Sequence, residues 1–335
     1  MRAIFAAVFV FLTLASGHLF MVVINKIDAN INDDLYRSSP GVEARWLGDR
    51  SMEEEWDVLQ ARNQDIELPK LSAEPLRMLP TTPFLGWVTL AMGALGFLLL
   101  LATRFSSQDA VQSMLGIFGA LFLWTGPVEY GLMLASRSLG IAKSLQFVGG
   151  QVVGAYGEYV LLKYTWGLLA IIMVYLLFLE SNRGPMFMWL RRTFGLMRGS
   201  TANGRVDNYG PRTAFQYILM MWWFYVVLLW SWDPQFAGGV GGWLDHAVFA
   251  SSWAVSGWLL LRLVRKRAMG PALRYAIAAV IIFWNTIETL AKWGVFNEPW
   301  LLLRPATAIV FFGGTAVGIW LFLRELNRSP ALSLQ

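Results

Sequence analysis

His18, Glu129, Glu158, Asp245, His246 and Glu288 have the most scope for chemistry in this chain, because each lies in or beside a long apolar run. A charge inside a bilayer is expensive unless protein or water solvates it, so such residues mark sites by default. Imidazoles and carboxylates held together can pass protons or ligate a metal. Glu129 follows Gly126-Pro127, a helix-kinking pair, and is flanked by Tyr130. Lys292 stands four residues beyond Glu288, the spacing of a helical ion pair.

Each residue also has a plainer role open to it. Asp245 and His246 can cap a helix beginning near Leu244, at a depth where polarity is cheap. His18 can hydrogen-bond a neighbouring helix, and Glu288 can simply pair with Lys292. Glu129 is the hardest to account for in this way. His18 and His246 are the two histidines of the chain, so a bis-His haem site is conceivable and a three-histidine metal site is not. A carboxylate-assisted metal site would add Glu129 and Glu288 to them. Cysteine is absent, which excludes disulfides, thiol nucleophiles and thiolate-held metals. No Gly-rich phosphate loop, HExxH or nucleophile elbow occurs.

The elements that position these residues are membrane spans. The chain is 56% hydrophobic with a mean hydropathy of +0.49, and 15% of it is charged, against about a quarter in soluble domains. Apolar runs long enough to cross a bilayer occur at 3–24, 84–103, 111–135, 159–179, 213–232, 244–261, 275–291 and 303–323. Backbone in lipid must bond to itself, so the fold expected is an all-α polytopic bundle. The first run, with Ala15-Ser16-Gly17, reads either as an anchor, giving eight spans, or as a cleaved signal peptide, giving seven. The expected divisions are an anchor or signal at 1–25, an external segment at 26–83, the bundle at 84–325 and a tail at 326–335.

Charge sets the orientation. Arg183, Arg191, Arg192, Arg198, Arg205 and Arg212 crowd one loop, Arg262, Arg265, Lys266, Arg267 and Arg274 another, and Arg324 and Arg328 the tail. The positive-inside rule puts these in the cytoplasm, in a bacterial-type inner membrane. The net charge of +5 therefore reads as loops beside lipid, not as a nucleic-acid surface. The 186–198 stretch, mixing Met, Trp, Phe and Arg, reads as an amphipathic helix on anionic lipid. Residues 25–83 lie outside, with 12 acids against 7 bases and a short helix near 52–63. Gly-rich 136–158 reads as an interfacial helix and loop or a re-entrant piece. On this topology His18, Glu129, Glu158, Asp245, His246 and Glu288 share the outer level, where a polar cavity would gather them.

The chain holds 17 Trp, residues suited to membrane boundaries and large packing sites. The fifth run ends Trp230-Ser231-Trp232-Asp233-Pro234. This short stretch resembles a fragment of the tryptophan-rich motif of haem-handling cytochrome c assembly proteins, which implies a cofactor platform at Trp230 and Trp232. The family's further Trp/Gly pattern and its paired flanking histidines have no counterpart here, so the chain is not assigned to it. Three functions follow from the pattern. The first is a membrane subunit that holds a lipophilic cofactor, quinone or lipid, or anchors external protein partners in a complex. The second is a proton-coupled transporter using Glu129 and Glu288. The third is a membrane enzyme acting on a lipid or hydrocarbon.

Overall fold

The computed structural model describes residues 2–38, 83–139, 144–148, 151–155, 157–178, 191–193, 208–301 and 304–328. The expected helix near 52–63, the 186–198 segment apart from 191–193, and the tail past Arg328 lie outside them.

Helix α1 (Arg2–Ser38) continues well past the end of its apolar run. Helix α2 (Pro83–Ala102) is followed by α3 (Asp109–Leu123), a π turn (Trp124–Tyr130) and α4 (Gly131–Ser138) in one unbroken rod. Then come β1 (Ser144–Val148), β2 (Gln151–Ala155), α5 (Gly157–Tyr164) and α6 (Trp166–Phe178). Helix α7 (Tyr209–Ser231) leads through the short α8 (Pro234–Ala237) to α9 (Trp243–Leu263) and α10 (Met269–Lys292). Helix α11 (Pro305–Ala308), a second π turn (Ile309–Gly313) and α12 (Gly314–Arg328) close the chain.

Six of these rods are long and apolar enough to cross a membrane: Arg2–Asp28, Pro83–Phe105, Asp109–Ser138, Tyr209–Ser231, Met269–Lys292 and Pro305–Leu326. The pair α5–α6, bent by 41° at Thr165, makes a seventh if it is one span. Among the described residues, length and composition thus support six to seven spans, against the eight or seven expected. Helix α9 has the length, at 21 residues, but Asp245, His246, three serines and Arg262 dilute its apolar run. The described residues are helical, as expected of an all-α bundle, apart from one short antiparallel pairing of β1 with β2 inside the 136–158 stretch that reads as an interfacial helix and loop or a re-entrant piece. Leu145, Phe147, Val148, Val152 and Val153 are residues that favour strands.

Helix α10 is the hub, packed by α1, α3, α7 and α9, with Leu273, Ala276 and Ile277 fully buried. Without a hydrophobic effect between helices in lipid, small residues set the closest approaches. Gly116 of α3 meets Gly210 of α7 so tightly that a Cβ at Gly116 would lie 2.4 Å from the Gly210 carbonyl oxygen. The outward faces of α2, α6 and α12 stay apolar, with Trp87, Leu98, Ile171, Val174 and Val317 exposed. Such a surface belongs against a lipid bilayer, and the chain is a multi-pass membrane protein.

Contacts sort the helix ends into two levels. At the basic end, Arg2 donates to the Arg267 carbonyl and pairs with Glu325, while Arg274 clamps Asp109 and stacks over Tyr209. At the opposite end, Arg137 pairs with Asp28 and Lys163 with Asp233. Asp245, bonded to Trp232, and Glu288, one turn before Lys292, lie toward this second level.

Candidate functional site: a carboxylate cluster walled by aromatics

Pro127 has no N–H to give its helix, and the ladder between α3 and α4 opens into the π turn Trp124–Tyr130. The extra residue in that turn aims Glu129 into the bundle, where it is 7% exposed. Its Oε1 has no hydrogen-bond partner among the described residues, while Trp124 bonds to the carboxylate. Glu129 also helps line a narrow, largely apolar cleft, with Trp124, Val128, Leu132, Glu158, Tyr159 and Leu162. Glu158, also buried, opens α5 and acts electrostatically on Glu129, as does Glu288. Two acids and no base line this cleft.

Tyr225 of α7 joins the cleft to a second group of residues. Its ring stacks on Tyr159 at 6.1 Å and meets Trp124 at 5.9 Å, and it interacts electrostatically with Glu129, Glu288 and Glu298. In that second group His18 places Nδ1 3.0 Å from the Leu14 carbonyl and Nε2 3.7 Å from Glu288 Oε1. The bond to Leu14 makes Nδ1 the N–H donor and leaves Nε2 to accept. Trp284 stacks on His18 at 5.0 Å and donates its indole N–H to Glu288 Oε1 at 2.7 Å. Trp300 packs on Trp284 at 4.4 Å and donates to Glu298 Oε2 at 2.7 Å. Burial, with the Glu288 carboxylate nearby, raises the Glu298 carboxyl above the ordinary carboxylate range.

Asp245 and His246 stand apart from this group. Asp245 is fully buried and accepts three N–H donors: Trp232 Nε1 at 3.0 Å, Trp293 Nε1 at 2.7 Å and Gly241 N at 2.8 Å. The loop that supplies Gly241 holds Gly238, Gly239 and Gly241 at φ of 76–79°, open to glycine with little strain. Asp245 thereby ties the ends of α7, α9 and α10 into one knot. His246 is exposed, stacked on Trp293 at 4.8 Å and bonded to the Gly242 carbonyl. Trp284 and Trp293, the rings that carry His18 and His246, are nine residues apart on one helix, about 13 Å of rise. The two imidazoles are therefore not brought face to face. Among the described residues no group of three or more His, Asp or Glu is arranged to hold a metal ion. Trp230 donates to the Lys163 carbonyl at 3.3 Å and carries the Lys163 ammonium over its ring, so both Trp230 and Trp232 spend their indole N–H on the protein.

Glu298, Trp284, Trp300, Tyr159 and Tyr225 carry no mark in the sequence that sets them apart. Glu298 falls in the connection between two spans, where a charge costs nothing remarkable until the fold buries it. The other four look like any aromatic of a membrane helix. Comparison with protein-family models, with curated proteins and with solved structures finds no match for this chain.

Proposed function

We propose that the cluster is a proton-binding site and that the chain is a proton-coupled transporter of a bacterial-type inner membrane. The observation that carries this is Glu129 Oε1, buried with no partner among the described residues, on a side chain that lines a narrow cleft with a second buried acid, Glu158. Pockets for drug-sized ligands run to roughly 300–1,000 Å³. The cavity in this cleft, about 10 Å³, holds about one water, which suits a proton site better than a haem or a quinone ring. Neighbouring acids that cannot all ionise in low dielectric are the usual way a fold stores an exchangeable proton.

The same reading takes α9 and the bent pair α5–α6 as crossing with the other rods, giving eight spans. In support, α9 packs along α10, with Asp245 bonded to Trp293 at one end and the Lys266 ammonium over Tyr275 near the other. The basic end then faces the cytoplasm with the C-terminus, and the cluster faces outward. The test is uptake into reconstituted vesicles from a mixed solute pool, read by mass spectrometry. Accumulation that needs an imposed pH gradient and fails in Glu129→Gln supports the proposal; accumulation indifferent to both contradicts it.

A second reading has its own support. Val128, Leu132 and Leu162 make part of the cleft wall apolar. A membrane subunit holding a lipid or other lipophilic group would use that wall for the tail and Glu129 for the head. Partner proteins in a complex belong to this reading.

A further inference from the structure

We infer that Glu298, His18 and Glu288 form a proton path from the acidic end of the bundle to the Glu129 cleft. The inference rests on the proton-site reading of Glu129 and adds residues that reading does not need. Glu298 sits in the connection after α10, outside the spans, and is therefore the member of the series nearest the aqueous face. Trp300 and Trp284 form a continuous aromatic wall, 4.4 Å between ring centres, that holds Glu298 Oε2 and Glu288 Oε1 by their indole N–H groups. His18 stacks on the same wall. Its Nε2 lies in ion-pair range of Glu288, and its ring is within the electrostatic reach of Glu298. Tyr225 is within the electrostatic reach of both Glu288 and Glu129.

The groups facing His18 can be named. From α10 come Glu288 and, one turn on, Lys292, whose ammonium rests over Trp232. From the connection comes Glu298. Beside His18 on α1, Ser16 takes its partners from α12, the Phe311 carbonyl and the Thr315 hydroxyl, and Gly17 meets Leu121 of α3, which are all uncharged. Two acids thus flank one imidazole whose remaining nitrogen is free to accept.

The transfer balances without another reactant. The Glu298 O–H bond breaks as an N–H bond forms at His18 Nε2, leaving a carboxylate and an imidazolium. That N–H bond then breaks as an O–H bond forms on Glu288 Oε1, and His18 returns to its neutral tautomer with Nδ1 still donating to Leu14. The proton has then moved inward by one carboxyl position, and it reaches the cleft when the Glu288 O–H bond breaks and an O–H bond forms on the Glu129 carboxylate, with which Glu288 interacts electrostatically. Burial keeps Glu298 protonated at a higher pH than an exposed acid, which suits it to the role of entry group.

Hydrogen–deuterium exchange of the Glu129 carboxyl, followed by the infrared C=O band of protein in lipid vesicles after a pulse of external heavy water, tests the path. The band is assigned by its loss in Glu129→Gln. The path predicts that Glu298→Gln and His18→Gln each keep the band and slow its exchange roughly tenfold or more, a barrier rise on the order of 1.4 kcal/mol. Glu298 is outside the spans, so its variant tests the path even if the His18 variant does not fold. A band that exchanges at the wild-type rate in Glu298→Gln overturns the path and leaves the Glu129 site standing. A protein with no Glu129-dependent band overturns both.

Discussion

His18 Nε2 and Glu288 Oε1 stand 3.7 Å apart across the contact of α1 with α10, within ion-pair range and longer than a hydrogen bond. The Glu288 oxygen concerned is the one that already accepts the Trp284 indole. The pair is therefore held close without being locked, which suits a proton that has to move on.

The pH dependence of stability follows from Glu298. Its carboxyl in the folded protein sits above the ordinary carboxylate range, so the fold binds a proton that the unfolded chain has already released. The stability this contributes is complete below the ordinary carboxylate pKa and is lost as pH rises through the raised value. Thermal melting in detergent should show wild type losing stability over that window, and Glu298→Gln losing less. Parallel melting curves for the two proteins would contradict the assignment.

Asp245 behaves as a knot. Asp245→Ala leaves two Trp N–H groups and one backbone N–H without their acceptor, at about 1–3 kcal/mol for each that finds no other. The melting temperature should fall well below that of wild type, with the Glu129 carboxyl band unchanged. A variant as stable as wild type would show the knot to be dispensable.

Topology can be read with reporters. Fusions after Gln335 and at Gly199 should report cytoplasm, and an insertion near Gln60 should report the outside. Intact mass should retain residues 1–17. Gly17 itself fits against Leu121, where a Cβ would come within 2.8 Å of its Cδ1, and Phe9, Val10, Leu14 and Leu19 are all core residues. A periplasmic signal at Gly199, or loss of the first 17 residues, would contradict the arrangement.

Much of the framework can be read from hydropathy, because lipid leaves a chain few choices. The apolar runs locate the rods, and the Arg clusters sort their ends into two levels that side-chain contacts independently mark, Arg2 with Glu325 at one and Arg137 with Asp28 at the other. Span count is less legible. Helix α9 carries Asp245 on its buried face, which lowers its mean hydropathy without shortening it. The hairpin 144–155 is short and Gly-rich, a pattern that periodicity does not separate from a loop. At the site, an intramembrane charge draws attention to Glu129, Glu158, His18 and Glu288, but cannot tell that Asp245 and His246 belong to a different contact set. That separation depends on which face of each helix a residue takes, and on the indole partners Trp232, Trp284 and Trp293, whose N–H directions no sequence spacing gives. Glu298 was invisible for the opposite reason, since its burial comes from tertiary packing of a connection that reads as solvent-facing.

The most direct test of the central claim is an infrared titration of the purified protein in lipid, comparing wild type with Glu129→Gln at matched thermal stability. Wild type is expected to show a protonated-carboxyl C=O band that titrates away as pH rises and is missing from the variant. Identical spectra for the two proteins at every pH would mean that Glu129 holds no exchangeable proton, and the proton-coupled reading would fall with it.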